Sequence, residues 1–377
     1  MKGQKFAGAL HGTTLSDMRH VLISTCLTLS LAACGPSTVL DQPTSASRCL
    51  SLSEPSGTSG LTASLPSRIS WLFKVETCGG EPVAGLSAAQ FEISEDGKKV
   101  SAYESQQRVT AKGERFRLYS VVMLDLSGSM LRSGDFPQVQ AAAARYLDEA
   151  LAAGGDGHRV ALFTFDGRAA PQVLVPFTSN RASLQAGLDS LSLTECRASA
   201  DCAGFADRRT CAGWRCVDDS TNLNGAVVEG LSLLDAELQA SDVPWRDGAL
   251  VLFTDGTDQA SRVTSGAAEE AVHRSGKHVF TVGLGGEVDE AALRDFGKDG
   301  YWPVERADAL GDAFVEIAGR VSSLANRFYV LEYCSPKRSG THTLQVKASI
   351  ETARDGMLVG TISGQFDAQG FSSGCEL

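Results

Sequence analysis

Three short segments of the 377-residue chain carry side chains whose types and spacing could do chemistry. Asp125-Leu126-Ser127-Gly128-Ser129 puts one carboxylate and two hydroxyls on a tight turn, all able to face one point. Ser220-Thr221-Asn222-Leu223 adds the Thr221 hydroxyl, and Thr254-Asp255-Gly256 adds a second carboxylate. Oxygen donors without nitrogen or sulfur suit a hard cation such as Mg²⁺, which favours octahedral oxygen coordination at about 2.0–2.1 Å and keeps waters. Mn²⁺ or Ca²⁺ would suit the same donors. Most of the donors are neutral hydroxyls, so a bound cation stays under-neutralised and open to an acidic oxygen from another molecule. Singly, such residues are helix caps and turn formers. Asp258, close by, reads as a turn residue.

Each donor segment falls where a strand ends or a helix begins. Residues 118–124 (LYSVVML) are a continuous apolar run, as expected of a strand covered on both faces in a parallel sheet. Further strands are expected over 159–165, 172–176, 249–254, 278–282 and 301–304. Helices are expected over 138–153, after a cap at Ser179 or Asn180, and over 221–234, 266–275, 287–296 and 308–326. The last carries Leu310, Phe314, Ile317 and Val321 on one stripe. This alternation predicts an α/β fold with a doubly wound, mostly parallel sheet flanked by small β units, whose ligands bind at the carboxyl ends of its strands.

LDLSGSM, STNLNGAV and LVLFTDGTD, in this order and spacing, resemble the metal-ion-dependent adhesion site of a von Willebrand factor type A (VWA) domain. The resemblance covers residues 117–326. It implies that Asp125, Ser127, Ser129, Thr221 and Asp255 hold the metal, and that the domain binds a protein partner presenting Asp or Glu to it. A hydrolase using Ser127 or Ser129 would need a base, and the six histidines offer none: His158 and His278 start strands on the far edge of the sheet, and His273 lies within a helix. No G-x-S-x-G, H-E-x-x-H or G-x-x-x-x-G-K motif is present, so the chain is read as a binding protein, not an enzyme. A structural envelope protein with a vestigial site is the remaining alternative.

The N-terminus sets the compartment. Lys2, Lys5 and Arg19 precede an apolar run over 21–33, too short for the roughly 20 residues of a membrane-spanning helix, so 1–33 reads as an export signal. Leu31-Ala32-Ala33-Cys34 resembles the bacterial lipoprotein box, which implies lipidation of Cys34; Gly35 after it points to the outer membrane, with the lipid as the only membrane attachment. Residues 34–68, rich in Pro, Ser, Thr and Gly, read as a tether. An N-terminal β module is expected over 69–114, with Asp96-Gly97 as its hairpin turn, and a C-terminal β segment over 327–377 that packs on it or completes it.

Of ten cysteines, Cys26 leaves with the signal and Cys34 takes the lipid. The remaining Cys49, Cys78, Cys196, Cys202, Cys211, Cys216, Cys334 and Cys375 predict disulfides in an exported chain. Their grouping pairs Cys49 with Cys78 and Cys334 with Cys375, and leaves the connectivity of the central four open. Those four lack the C-x₂-C spacing and nearby histidines of a zinc site. They define an insertion, 195–219, that ends just before Thr221, so its base lies at the metal-bearing edge; Phe205, Trp214 and Arg215 are its candidate partner contacts. A formal charge of −11 argues against nucleic acid as the partner.

Overall fold

The computed structural model describes residues 49–55, 59–111, 116–154, 157–353 and 355–377. The export signal, Cys34 and the rest of the segment up to residue 48 lie outside the described residues. The expectation of a tether reaching residue 68 is corrected by β1 (Leu50–Ser53) and β2 (Leu61–Ser64), which pair antiparallel with β3 (Arg68–Thr77). The reason is visible in Leu50-Ser51-Leu52: both leucines are buried and the serine is exposed, a two-residue period hidden in Ser-rich composition. Next come β4 (Phe91–Glu95), the Asp96-Gly97 turn, β5 (Lys98–Lys99) and β6 (Arg108–Ala111).

The chain then alternates. β7 (Phe116–Asp125), α1 (Gly128–Ser133), α2 (Phe136–Gly154), β8 (His158–Phe165), β9 (Gln172–Thr178) and α3 (Arg181–Ser190) lead to the insertion, which holds β10 (Thr210–Ala212) and β11 (Arg215–Val217). α4 (Leu223–Ala240), β12 (Trp245–Thr254), α5 (Ser265–Arg274), β13 (His278–Leu284), α6 (Glu290–Phe296), β14 (Gly300–Val304) and α7 (Leu310–Asn326) follow. Six strands form one sheet in the order β14-β13-β12-β7-β8-β9, all parallel except the edge strand β9. Side chains alternate across it. Leu118, Val122 and Leu124 face Val139 and Tyr146 of α2 and Phe314, Ile317 and Val321 of α7. Tyr119, Val121 and Met123 face Val227 and Leu231 of α4, Val272 of α5 and Phe296 of α6. Burying each such side chain stabilises by about 1.5–3 kcal/mol. Helices on both faces explain the unbroken apolar run of β7.

β15 (Phe328–Cys334), β16 (Thr341–Thr352) and β17 (Gly356–Asp367) close the chain. β15 inserts between β3 and β6, and β16 between β17 and β4, so the two flanks interleave in two sheets around Trp71, Phe73, Ile93, Tyr329, Leu331 and Val346. Cys49 bonds Cys78 and Cys334 bonds Cys375. The central four pair as Cys196–Cys211 and Cys202–Cys216.

Arg327, the residue between α7 and β15, joins the two halves. Its buried guanidinium pairs with Glu76 of β3 and, at 2.8 Å, with Asp247 of β12. His278 sits between Asp299 at 2.8 Å and Asp247 at 3.5 Å. Burial alone would lower the His278 pKa; hydrogen bonds and charge from the two carboxylates outweigh it and push the imidazole up to about 9. Burial is likewise outweighed at Asp247, which His278 and Arg327 hold down at about 2. Among the described residues no helix is long and apolar enough to cross a membrane.

Candidate metal centre

After β7 the chain runs outward through β8 and β9, then returns to β12 on the other side of β7. The strand order therefore reverses between β7 and β12, and there a crevice opens beyond the carboxyl ends of the strands. Register does the next step. Leu124 pairs with Phe253, so Asp125 ends β7 beside Thr254, whose Oγ1 donates to Asp125 Oδ2 at 2.6 Å. The chain turns back at once: Ser127 N–H donates to Asp125 Oδ1 at 2.8 Å. The Ser127 and Ser129 hydroxyls lie 3.1 Å apart, and Ser129 Oγ donates to Asp255 Oδ1 at 3.1 Å.

Thr221 is brought in by the end of β8 and the start of α4. Asn222 N–H donates to the Asp166 carbonyl at 3.0 Å, and Asn222 Oδ1 caps α4 by accepting from Gly225 N at 3.2 Å. Gln259 and Ala260 N–H groups donate to the Thr221 carbonyl at 2.9 and 3.0 Å, drawing the loop after Asp255 against it. The Thr221 hydroxyl lies 3.9 Å from where a Gly256 Cβ would stand. The structure thus brings all five oxygen-bearing side chains to one end of the β7–β12 crevice. Asp258 accepts from Asn224 N and Ser261 N, both at 3.0 Å, and serves the turn.

Asp125 is fully buried; burial and the charge of Asp255 raise its carboxyl pKa to about 7, against hydrogen bonds from Thr254 and Ser127. Burial also raises Asp255, and Glu287 and Asp135 add to the effect while Ser129 opposes it. Two neighbouring, partly or wholly buried carboxylates with no ion-paired Lys, Arg or His among the described residues are costly unless a cation joins them. The all-oxygen donor set fits a hard divalent cation.

Several supporting residues have no motif of their own. Thr254 holds Asp125, and its only signal is its register beside β7. Asp166, buried, accepts from the Arg168 guanidinium and from Asp218 N at 3.1 Å, fixing the root of the insertion. Asp219 ion-pairs with Arg132 of α1, and its Oδ1 lies where a Gly128 Cβ would collide with it, 1.7 Å away. A larger residue between the two serines would push the Asp219–Arg132 pair aside.

The three contact candidates of the insertion separate. Phe205 lies under the Arg208 guanidinium, 3.7 Å from its ring centre. Arg215 turns inward to Glu195 and the Ser190 carbonyl. Trp214 points out, 61% exposed. The cysteine sulfurs of the insertion cluster because two disulfides adjoin, and none is left for zinc. Ser129 and Asp255 open into a groove of about 580 Å³ rimmed by Asp135, Glu287, Glu305, Asp308 and Arg306. Arg306 is paired with Asp308. Among the described residues no histidine hydrogen-bonds to the serines: His158 Nε2 meets Ser120 Oγ at 2.7 Å near the start of β8, and His278 starts β13.

A model of the von Willebrand factor type A domain matches residues 120–257, a span containing Asp125, Ser127, Ser129, Thr221 and Asp255. No curated protein matches the sequence. Among solved structures, a von Willebrand factor type A protein from Catenulispora acidiphila is 12% identical over 87% of this chain and 75% of its own, with a TM-score of 0.42. Proximal thread matrix protein 1 from the mussel byssus, with a zinc-occupied MIDAS motif, is 16% identical over 61% of this chain, with a TM-score of 0.39. This chain spans about half, 49%, of the mussel protein. The von Willebrand domain of a type V pilus tip protein from Porphyromonas gingivalis is 14% identical over 56% of this chain and 97% of its own, with a TM-score of 0.39.

Proposed function

We propose that this chain is an exported, lipid-anchored bacterial envelope protein whose VWA domain binds a protein partner through a divalent cation, Mg²⁺ in the first instance. The observation that carries the reading is the convergence of Asp125, Ser127, Ser129, Thr221 and Asp255 at the point where the strand order reverses. These residues would hold the cation, which supplies a positive centre able to take a partner's Asp or Glu carboxylate. Thr254 keeps Asp125 oriented, Gly128 lets Asp219 close over the loop, and the Gln259 and Ala260 amides hold the Asp255 loop against Thr221. The acidic groove favours a partner with Lys or Arg beside its carboxylate, because like charges facing one another cost affinity.

Titration calorimetry is expected to give Mg²⁺ binding in the wild type and none in Asp255→Ala, with unchanged far-UV circular dichroism. Envelope proteins captured on the wild type in Mg²⁺ should be released by EDTA, should weaken in 0.5 M salt, and should be absent with Asp255→Ala. Identical capture in EDTA contradicts the proposal, and absence of any Mg²⁺ binding favours a structural protein with a vestigial site. For the anchor, Cys34→Ser should move the protein from the membrane to the soluble periplasmic fraction. Retention in the membrane fraction would argue against lipidation.

A further inference from the structure

We infer that Trp214 is a second contact point for the partner: the metal takes a carboxylate, and the Trp214 ring takes an apolar or aromatic side chain of the same partner. This rests on the metal-dependent reading above. Three sets of observations carry it.

The first is placement. β10 and β11 form a hairpin whose turn is Gly213-Trp214. Its tip is seated on α1, since a Cβ on Gly213 would stand 3.0 Å from both the Leu131 side chain and the Leu131 carbonyl. α1 begins at Gly128, between the serine donors, and Asp219 at the base of the insertion pairs with Arg132 of the same helix. The hairpin therefore stands on the helix that issues from the metal loop.

The second is rigidity. Trp214 has φ of +68°, in the left-handed region that non-glycine residues rarely adopt. The surroundings impose it: Glu195 and Cys196 N–H groups both donate to the Trp214 carbonyl, at 2.8 and 3.1 Å. Cys211 and Cys216 face one another across the hairpin, and each is tied by a disulfide to the preceding segment. With its backbone held this way, Trp214 has only its two side-chain torsions left to order on binding.

The third is the absence of an internal role. Trp71 and Trp245 are buried and Trp302 is half-buried, whereas Trp214 is 61% exposed. Phe205 and Arg215 are engaged within the insertion, while the Trp214 ring has no aromatic or cation contact among the described residues. An exposed tryptophan on a fixed backbone, carried by a hairpin seated on the helix that leaves the metal loop, has the chemistry of an interface anchor.

The test uses a phage-displayed random dodecapeptide library panned on the full chain in MgCl₂ and eluted with EDTA. Eluted clones are expected to carry Asp or Glu together with an apolar or aromatic residue. Synthetic peptides from those clones should bind Trp214→Ala about tenfold more weakly than wild type, with Trp214→Phe keeping most of the affinity. Mg²⁺ affinity and the disulfide content by mass should be the same in all three proteins. Iodide quenching of tryptophan fluorescence should fall when peptide binds. A loss of less than threefold in Trp214→Ala overturns the inference and leaves the metal-dependent reading standing. Failure to obtain any EDTA-eluted clone overturns both.

Discussion

Asp125→Asn is expected to abolish the proposed Mg²⁺ binding and, at pH 8 in EDTA, to leave the protein more stable than wild type. The two effects have one cause. In the metal-free protein the Asp125 carboxyl titrates near 7 rather than at its ordinary 3.8, because it is buried beside Asp255. A group whose pKa is raised by folding stabilises the fold fully below its unfolded value and loses that contribution as pH rises through the folded value. Metal-free wild type should therefore lose about 4 kcal/mol from this group between pH 4 and pH 8. Asparagine does not titrate. Its Oδ1 can still accept from Ser127 N, and its amide can donate to Thr254 Oγ1, so the local hydrogen bonds survive. Urea unfolding of both proteins in EDTA at pH 5 and pH 8 measures the difference, and comparing variant with wild type cancels other titrating groups. Saturating Mg²⁺ should then raise wild-type stability and leave the variant where it was. Equal pH dependence of the two proteins in EDTA would show that Asp125 carries no such burden.

The second large effect lies at the opposite end of the sheet. Arg327→Ala should lower stability by about 3 kcal/mol, because it removes the buried cation shared by Glu76 and Asp247 and leaves only Lys74 beside the first and His278 beside the second. It also exposes the role of His278. With a folded pKa of about 9 against 6.5 unfolded, His278 stabilises fully below pH 6.5 and loses that contribution as pH rises through 9, about 3 kcal/mol in all. In wild type Arg327 remains to face Asp247 once His278 is neutral; in the variant no cation among the described residues does. Thermal melts from pH 6 to pH 10 should fall more steeply for Arg327→Ala than for wild type. Parallel profiles would separate the two residues.

Much of this architecture was readable in the chain, for reasons that vary by element. The β7 run and the α7 stripe announce themselves because each is covered by a layer that demands apolar residues at a fixed period. The meeting of Asp125, Ser127, Ser129 and Asp255 was readable because the turn restricts the spacing of these oxygen-bearing residues. α1 was not: its six residues are too few for a period, and its helix follows from the turn closed by Ser127. β1 and β2 were lost in Ser-rich composition, since four-residue strands draw their stability from β3 and carry little signal of their own. β12 begins earlier than its apolar core, because Trp245-Arg246-Asp247 is held by Arg327 and by pairing with β7. The pairing of the central cysteines and the separation of Trp214 from Phe205 and Arg215 depend on which way a loop folds, and composition does not carry that.

The Cys49–Cys78 bond has a mechanical meaning. A pull on the chain ahead of Cys49 would not peel β1 away strand by strand, because the disulfide passes the load directly to the end of β3. β3 hands it to β15 through seven paired residues, Lys74 to Arg68 against Phe328 to Cys334, and β15 is continuous with Arg327 and α7. Tension between a fixed N-terminus and a bound partner would thus bypass the weakest strand and arrive at the base of the helix packed on β7. In the anchored, partner-bound protein proposed above, that path would spare β1, the strand next to the point of pull.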